Sequence, residues 1–310
     1  MPPVVAIGPS SFAEKDNTPL RMLEAAGCII KPNPFGRRLT ESEIIAHLEG
    51  VDGLIAGLEP LNRAVLESAR PRLKALARVG IGVANVDFDA ARDFGVAVSS
   101  TPDGPIDAVA EMTMAALLCL ARQLIPTNAA LHRGEWTKSI GMGLRGAKVL
   151  LIGYGRIGKR VGDLLLAFGA EVRAFDLDMD PAILTRGVRF TDRATSLPWA
   201  DIVSLHASGE ACLLDDRAFD LMKPGVLLLN GARGGLVDEA ALLAALDSGK
   251  VAGVWFDAFW EEPYTGPLTR YEQVLLTPHV GTYTERCRLQ METEAVRNLL
   301  RDLGLPEFAS

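Results

Sequence analysis

Leu150-Leu151-Ile152-Gly153-Tyr154-Gly155-Arg156-Ile157-Gly158 reads as a short apolar strand, a tight glycine turn and the opening of a helix. In a dinucleotide site each glycine of such a stretch has its own task. Gly153 makes the turn, Gly155 lets the backbone approach a pyrophosphate, and Gly158 lets the helix pack close to the strand. The new helix directs its N–H groups and positive dipole end at the phosphates. The spacing alone also occurs in ordinary strand-to-helix turns, so the flanks decide. The next apolar run, Glu171–Phe175, ends at Asp176, which lies 23 residues after Gly153, where a carboxylate holds the ribose hydroxyls. Asp178 and Asp180 follow with no Lys or Arg between them, a set that repels a 2′-phosphate and favours NAD over NADP.

Working outward, strand and helix patterns alternate in two series. The first has apolar runs at Val4–Ile7, Cys28–Ile30, Gly53–Ala56, Leu73–Val79 and Val96–Ser99. Between them lie helical patterns at Pro19–Ala26, Arg63–Ala69 and Phe88–Phe94, and a capping box, Thr40 with Glu43, that opens a helix to about Glu49. The second has runs at Val149–Ile152, Glu171–Phe175, Asp201–Leu205, Val226–Leu229, Val251–Phe256 and Val274–Leu276. Its clearest helix is Asp238–Asp247, and a final helix is expected from about Thr284 to Leu303. Between the series lies Ile106–Gln123, read as the longest helix and stopped before Pro126. It is apolar nearly all round, which calls for burial between domains or at a subunit interface. Repeated alternation implies parallel sheets covered on both faces. The expected architecture is α/β: two doubly wound parallel-sheet domains with a cleft between them, ligands lying at the carboxyl ends of the strands.

Composition removes several functions. The 310 residues, 48% hydrophobic, suffice for two cores. The net charge of −7 and the lack of a basic run speak against nucleic acid. No apolar stretch reaches the ~20 residues of a membrane helix. The amino terminus reads as a first strand rather than a signal peptide. Four scattered cysteines (Cys28, Cys119, Cys212, Cys287) have no metal-ligand spacing, so no metal is expected, and they read as reduced structural thiols of a cytoplasmic protein.

Histidine is scarce, with four in the chain. His47 falls in a short helix and is expected at the surface, His132 in a loop, and His206 directly after a strand. His279 stands in Thr277-Pro278-His279-Val280-Gly281, after the last strand and before the last helix, a position where catalysis concentrates. Two other polar groups follow strands of the same series. Arg233 lies in Asn230-Gly231-Ala232-Arg233-Gly234, and Asp257 and Glu262 lie in Asp257-Ala258-Phe259-Trp260-Glu261-Glu262-Pro263. An Arg, a carboxylate and a His at successive strand ends suit a 2-hydroxy or 2-keto acid. The guanidinium grips the carboxylate and the C2 oxygen. The imidazole exchanges a proton with that oxygen, and a carboxylate beside it favours its charged form.

Gly82-Val83-Ala84-Asn85-Val86-Asp87, Val109-Ala110-Glu111, Gly134-Glu135-Trp136, the glycine turn, Met222-Lys223-Pro224-Gly225 and the three strand-end motifs stand in an order that resembles the D-isomer-specific 2-hydroxyacid dehydrogenase family, in its D-3-phosphoglycerate dehydrogenase-like form. The resemblance covers nearly the whole chain. It implies a flavodoxin-like substrate domain, 1–99 plus 284–310, and an inserted Rossmann NAD-binding domain, 100–283. It implies that Arg233 orients the substrate, that His279 is the acid/base, and that Glu262, rather than Glu261, pairs with it. Asp257 would hold the nicotinamide carboxamide, and Arg156 and Ile157 would cover the pyrophosphate. His206, Gly231, Ala232, Arg233, His279 and Gly281 would line the cofactor further. The backbone around Arg78-Val79-Gly80 would take the substrate carboxylate. The 106–123 helix would form part of a homodimer core.

The chain also departs from that pattern. It ends soon after the last helix, so the resemblance implies a short form without the regulatory domain of some relatives, and no serine feedback through one. Where some phosphoglycerate-specific members carry phosphate-reading arginines, it has Ala56-Gly57-Leu58-Glu59-Pro60-Leu61, and Glu59 repels a phosphate unless it points away. Arg37 and Arg38 are the candidate replacements, with a solvated loop pair as the plainer reading. Ala207-Ser208-Gly209 replaces an apolar residue and a proline after His206, and Pro105 stands where many relatives have a polar residue. The expected activity is NAD-linked hydride transfer at C2 of a D-2-hydroxy acid, with 3-phosphoglycerate as first guess. The alternatives are a hydroxypyruvate or glyoxylate reductase and an NAD-sensing, corepressor-like interaction protein.

Overall fold

The computed structural model describes residues 1–177, 187–209 and 211–306, so Asp178 and Asp180 lie outside the described residues. The chain divides into two compact units, Met1–Pro105 with Tyr283–Ser310, and Ile106–Thr282. The first changeover falls after Pro105 rather than near residue 99. The extra residues stay with unit 1 because Thr101 N donates to Gly80 O at 3.1 Å while Gly80 N donates to Thr101 Oγ1 at 2.7 Å.

Unit 1 contains β1 Val4–Ile7, α1 Thr18–Ala25, β2 Ile29–Lys31, α2 Glu41–His47, β3 Gly53–Ala56, α3 Arg63–Ser68, β4 Ala75–Arg78, α4 Phe88–Phe94, β5 Ala97–Ser100 and, from the end of the chain, α11 Glu285–Asp302. Its five strands run parallel in the order β2-β1-β3-β4-β5. Leu39, Ile44, Leu48, Val65, Leu66, Ala90 and Ala91 from the α2–α4 side close over Leu54 and Leu76. The opposite face belongs to α1 and α11, where Leu299 and Leu303 come so close to β3 that only the missing side chain of Gly53 admits them.

The capping box on α2 is present, with Thr40 N donating to Glu43 Oε2 at 2.9 Å. The helix is shorter than expected, and His47 is buried rather than at the surface. Ile44 and His47 lie three residues apart on the face turned to the sheet, and His47 Nε2 meets Ile7 O at 3.1 Å. Burial lowers the pKa of this imidazole, favouring the neutral ring.

Unit 2 contains, from its second residue on, α5 Pro105–Ala121, then α6 Leu124–His132, β6 Lys148–Ile152, α7 Arg156–Ala167, β7 Glu171–Phe175, β8 Val188–Phe190, α8 Arg193–Ser196, β9 Ile202–Leu205, α9 Asp216–Leu221, β10 Val226–Asn230, α10 Glu239–Asp247, β11 Val251–Phe256 and β12 Val274–Leu276. Seven parallel strands take the order β12-β11-β10-β9-β6-β7-β8. The direction of winding reverses between β6 and β9, beside the glycine turn. Asp192, Asp215 and Asp238 each cap the helix that follows by accepting its N3 N–H, a strand-to-helix signal written in the sequence. Strand β8 escaped the sequence reading because three residues with Arg189 in the middle carry no period.

The helix expected at 106–123 is α5, Pro105–Ala121, and a second helix, α6, follows beyond the expected stop. Gln123 adopts a left-handed conformation (φ 52°), and the chain restarts at Leu124 with a 60° bend. His132 therefore ends α6 instead of lying in a loop, and α11, at 18 residues, is longer than the 17-residue α5. The apolar girth of α5 is used within unit 2, where Ala110, Met114, Leu117 and Ala121 pack against Val149, Leu151 and Leu229. Exposed apolar side chains follow it instead: Leu124, Ile125 and Leu131 on α6, and Trp136 and Ile140 beyond, the last two 81% and 97% exposed. Among the described residues no single helix is long and apolar enough to cross a membrane, although α5 and α6 pass as a bent pair by length and composition.

Candidate active site

Pairing register aligns the ends of five strands of unit 2. Ile152 pairs with Leu205, Leu205 with Asn230, Asn230 with Phe256, and Phe256 with Leu276. The next residue on each strand is Gly153, His206, Gly231, Asp257 and Thr277. These five residues form one row along the carboxyl edge of the sheet, about 19 Å long at ~4.8 Å per strand.

At the β6 end of the row the three glycines meet different surroundings. Gly153 has φ 95°, and a methyl there would lie 2.3 Å from Ala207 N. A methyl on Gly158 would lie 2.1 Å from Gly153 O, so the first turn of α7 sits directly on the strand end. Beside Gly155 a methyl would meet nothing within 4 Å. That open space adjoins the amino end of a 12-residue helix that has no side-chain cap, where first-turn N–H groups point outward. Asp176 reaches back from the end of β7, and its Oδ2 accepts from Tyr154 N at 2.5 Å. Tyr154 is itself buried edge-on against Phe190 at 5.8 Å. His206 Nε2 lies 2.8 Å from Ser204 Oγ, and burial pushes the imidazole pKa down to about 4.

At the other end, His279 Nδ1 lies 3.0 Å from both Glu262 oxygens. Glu262 Oε1 also accepts from Phe259 N at 3.1 Å, which locks the carboxylate to its own loop. Glu261 points to solvent. That loop is stiffened by aromatic packing: Phe256 stacks on Trp260 at 5.0 Å and Phe259 on Tyr264 at 4.6 Å. Trp260 Nε1 donates to Val237 O at 2.8 Å and Tyr264 Oη to Glu239 Oε1 at 2.6 Å.

His279 has a left-handed backbone, φ 55°. What holds it there is Asp257, 3% exposed. Its Oδ1 accepts from Thr277 Oγ1 at 2.6 Å and Val280 N at 2.9 Å, and its Oδ2 from Gly281 N at 2.8 Å. Thr277 in turn accepts from Trp255 Nε1 at 2.9 Å. Sequence reasoning assigned Asp257 a cofactor contact and missed this positioning role, and nothing in the local sequence signals it. Arg233 stands in a turn fixed by buried Asn230, whose Nδ2 donates to Arg233 O at 2.8 Å and whose Oδ1 accepts from Ala232 N at 3.1 Å. Arg233 Nη1 donates to Ala232 O at 2.7 Å. Gly234 is required next, since a methyl there would lie 2.3 Å from the Phe259–Trp260 backbone.

In unit 1, Arg78 ends β4 and folds its Nη1 onto Val79 O. Val79 N donates to Ala56 O at 2.9 Å and Gly80 N to Thr101 Oγ1, so both N–H groups are engaged inside the unit. Arg37 is held by both oxygens of Glu43, at 2.7 and 2.8 Å. Among the described residues no group of three His, Cys, Asp or Glu side chains is arranged to hold a metal ion.

Residues 114–281 match the family model described as D-isomer specific 2-hydroxyacid dehydrogenase, NAD binding domain. The chain is 36% identical over 259 residues to D-3-phosphoglycerate dehydrogenase of Rattus norvegicus, covering 81% of this chain and 49% of that protein. It therefore spans about half the length of the curated relatives it matches. A protein of solved structure from Thermus thermophilus is 32% identical, with 97% of each chain covered and a TM-score of 0.88. A glyoxylate reductase from Paecilomyes thermophila is 26% identical, with 100% of this chain and 98% of that one covered and a TM-score of 0.87.

Proposed function

The chain belongs to the D-isomer specific 2-hydroxyacid dehydrogenases, and from that membership we propose that it catalyses reversible hydride transfer at C2 of a D-2-hydroxy acid or its 2-keto acid. The observation that carries the reading is the imidazole of His279, 3.0 Å from both Glu262 oxygens, on the sheet edge that also bears Arg233 and the glycine turn. The cofactor is NAD, as the matched domain binds. The residues present fit it: open space beside Gly155 meets the amino end of α7, and a carboxylate, Asp176, stands at the end of the next strand. Gly153, Gly155, Arg156, Ile157 and Gly158 would hold the pyrophosphate and Asp176 the adenosine ribose. His206, Gly231, Ala232, Arg233, Asp257, His279 and Gly281 would follow along the row. Bound NAD supplies or takes up the hydride.

The remaining work belongs to side chains. Arg233 grips the carboxylate and the C2 oxygen of the acid through its planar fork. Glu262 accepts from Nδ1–H of His279, which sets the tautomer and leaves Nε2 to give the C2 oxygen its proton, or to take it from the hydroxyl in the reverse direction. Asp257 keeps the His279 backbone in its left-handed turn through the two N–H groups that follow. From unit 1, the Arg78–Gly80 stretch takes the substrate carboxylate.

The test follows NADH absorbance over a panel of D- and L-2-hydroxy acids and their keto acids, with Arg233→Ala and His279→Ala in parallel. D-acids should turn over, and loss of His279 should lower kcat about 10²–10⁴-fold. If no acid on the panel exceeds the background of the two variants, the reading fails and cofactor sensing without chemistry takes its place. The names of the relatives suggest two acids, 3-phosphoglycerate and glyoxylate, that differ in carrying a phosphate ester.

The cytoplasm is the proposed location, supported by four cysteines that are all free thiols. A homodimer is proposed through the α5–α6 region, with its contact face on α6 and the segment that carries Trp136 and Ile140. Isolated apolar side chains are ordinary on a surface, whereas five close in sequence mark a contact site. Trp136→Glu should convert the species seen by light scattering from dimer to monomer. A monomeric wild-type protein would remove this assignment.

A further inference from the structure

The carboxyl edge of unit 1 holds a group that the proposed reaction leaves unused. In the order β2-β1-β3-β4-β5 the winding reverses between β1 and β3, and in doubly wound sheets the crevice at such a reversal takes ligands. Gly8 follows β1 there, with its N donating to Ile55 O at 2.9 Å, and Gly57 follows β3. Between them the chain folds in its own carboxyl group, that of Glu59, which is 1% exposed. Glu59 Oε1 accepts from Gly57 N at 2.8 Å. A methyl on Gly8 would lie 2.1 Å from that oxygen, and one on Gly57 would lie 2.9 Å from Oε2. Both strand ends are thus reduced to glycine where the carboxyl sits.

Its surroundings are those of an anion site. Backbone N–H groups of Gly57 and of Glu59 itself point at the carboxyl, and the positive charges of Arg78 and Arg38 act on it. Burial outweighs them, and the pKa of the carboxyl is raised from its ordinary value. The loop is pinned by Asn85, whose Nδ2 donates to Gly57 O at 3.2 Å and Glu59 O at 2.7 Å, and by Asn33, whose Nδ2 donates to Gly8 O at 2.6 Å. A phosphate ester entering here would have to displace a buried, hydrogen-bonded carboxyl or lie against it. Arg37 offers no alternative reader, because both arms of its fork are on Glu43 and its guanidinium lies over the Phe35 ring at 5.2 Å.

We infer that Glu59 is a specificity-determining residue: it fills the anion crevice of unit 1 from within, so the substrate is an acid whose only anionic group is its C1 carboxylate. This rests on the proposed reaction and on unit 1 supplying substrate contacts. It turns the chain away from the phosphorylated acid named by its curated relatives.

The experiment compares kcat/KM for hydroxypyruvate with that for its 3-phosphate ester, in the full chain with NADH, for wild type, Glu59→Gln and Glu59→Ala. Wild type should prefer the unphosphorylated acid by at least tenfold. Glu59→Gln, which keeps volume and removes the ionisable carboxyl, should move the ratio toward the ester by tenfold or more, and Glu59→Ala by more still. A merely structural role would lower both acids alike and leave the ratio in place. A second arm measures the thermal shift produced by inorganic phosphate, which should be absent in wild type and present in Glu59→Ala. Preference of the wild type for the ester overturns the inference, as does an unchanged ratio in Glu59→Gln together with no phosphate shift in Glu59→Ala. If wild type turns over neither acid nor any other on the panel, the proposed reaction falls, and the phosphate arm still decides whether Glu59 closes an anion crevice.

Discussion

Gly155→Ala should separate cofactor binding from stability. The residue precedes α7 with φ −72° and ψ −161°, which alanine adopts without strain, and its methyl would meet no atom within 4 Å. Stability should therefore change by no more than about 0.5 kcal/mol, and Tm by less than about 2 °C. The methyl does occupy the space through which a pyrophosphate would approach the helix end. Crowding of that kind costs about 1–3 kcal/mol, so the Kd for NADH should rise about 5- to 150-fold. Gly158→Ala is the counterpart. Its methyl would be forced to 2.1 Å from Gly153 O, an atom of the strand end that cannot move alone. The same 1–3 kcal/mol is then lost from folding, a Tm fall of about 2–12 °C. Differential scanning fluorimetry and titration calorimetry with NADH measure both quantities on each variant. If Gly155→Ala binds NADH like wild type, the pyrophosphate does not pass over Gly155 and the reading of this turn is wrong. A large Tm loss in the same variant would mean that the space beside it is not open.

Three further outcomes follow from the same geometry. Glu262→Gln should lower kcat about 10- to 150-fold, the 1.5–3 kcal/mol of a charged hydrogen bond, with NADH affinity unchanged, while exposed Glu261→Gln stays within twofold. Steady-state kinetics with fluorescence titration of NADH decides it, and the opposite ranking of the two glutamates would reverse the assignment. Asp257→Asn sets an amide N–H₂ against a loop donor in either orientation, so it should cost about 1–3 kcal/mol in urea unfolding and reduce kcat with it; an unperturbed unfolding curve would show that the three hydrogen bonds to Asp257 do not hold the His279 loop. The pH dependence of folding should carry the mark of His206. Its folded-state pKa of about 4 lies below the ordinary 6.5, so the unfolded chain takes up this proton first as pH falls. The neutral ring's contribution is complete above pH 6.5 and is lost between about 6.5 and 4. The loss is up to about 3 kcal/mol, less the screening that its partial exposure allows. Urea midpoints at pH 7 and 4.5 should converge in His206→Gln relative to wild type, and an identical slope in both would remove His206 from the account.

Much of this molecule is legible without coordinates. The apolar runs and the capping box locate ten or more elements to within a residue or two, because each signal acts over one or two turns of chain. Misreadings arose where a distant partner decides. The burial of His47 depends on the carbonyl of Ile7, 40 residues away. The helix that resumes at Leu124 carries Pro126 in its first turn, where a proline is tolerated, so the residue that signals a stop also permits a restart. Composition calls for the burial of α5 and does not say which surface covers it.

The opening stretch shows the division most plainly. The glycine spacing, the carboxylate 23 residues on and the order of the Arg, Glu and His motifs were determined by sequence alone, since turn geometry and strand length are local properties. Only the tertiary structure decided that Gly153, His206, Gly231, Asp257 and Thr277 share one sheet edge, that Asp257 holds the His279 loop, and that the Glu59 carboxyl is buried against Gly8. The reason is that parallel register and buried polar partnerships join residues tens to more than a hundred positions apart, and the choice among such partners is made by packing rather than by neighbours in the chain.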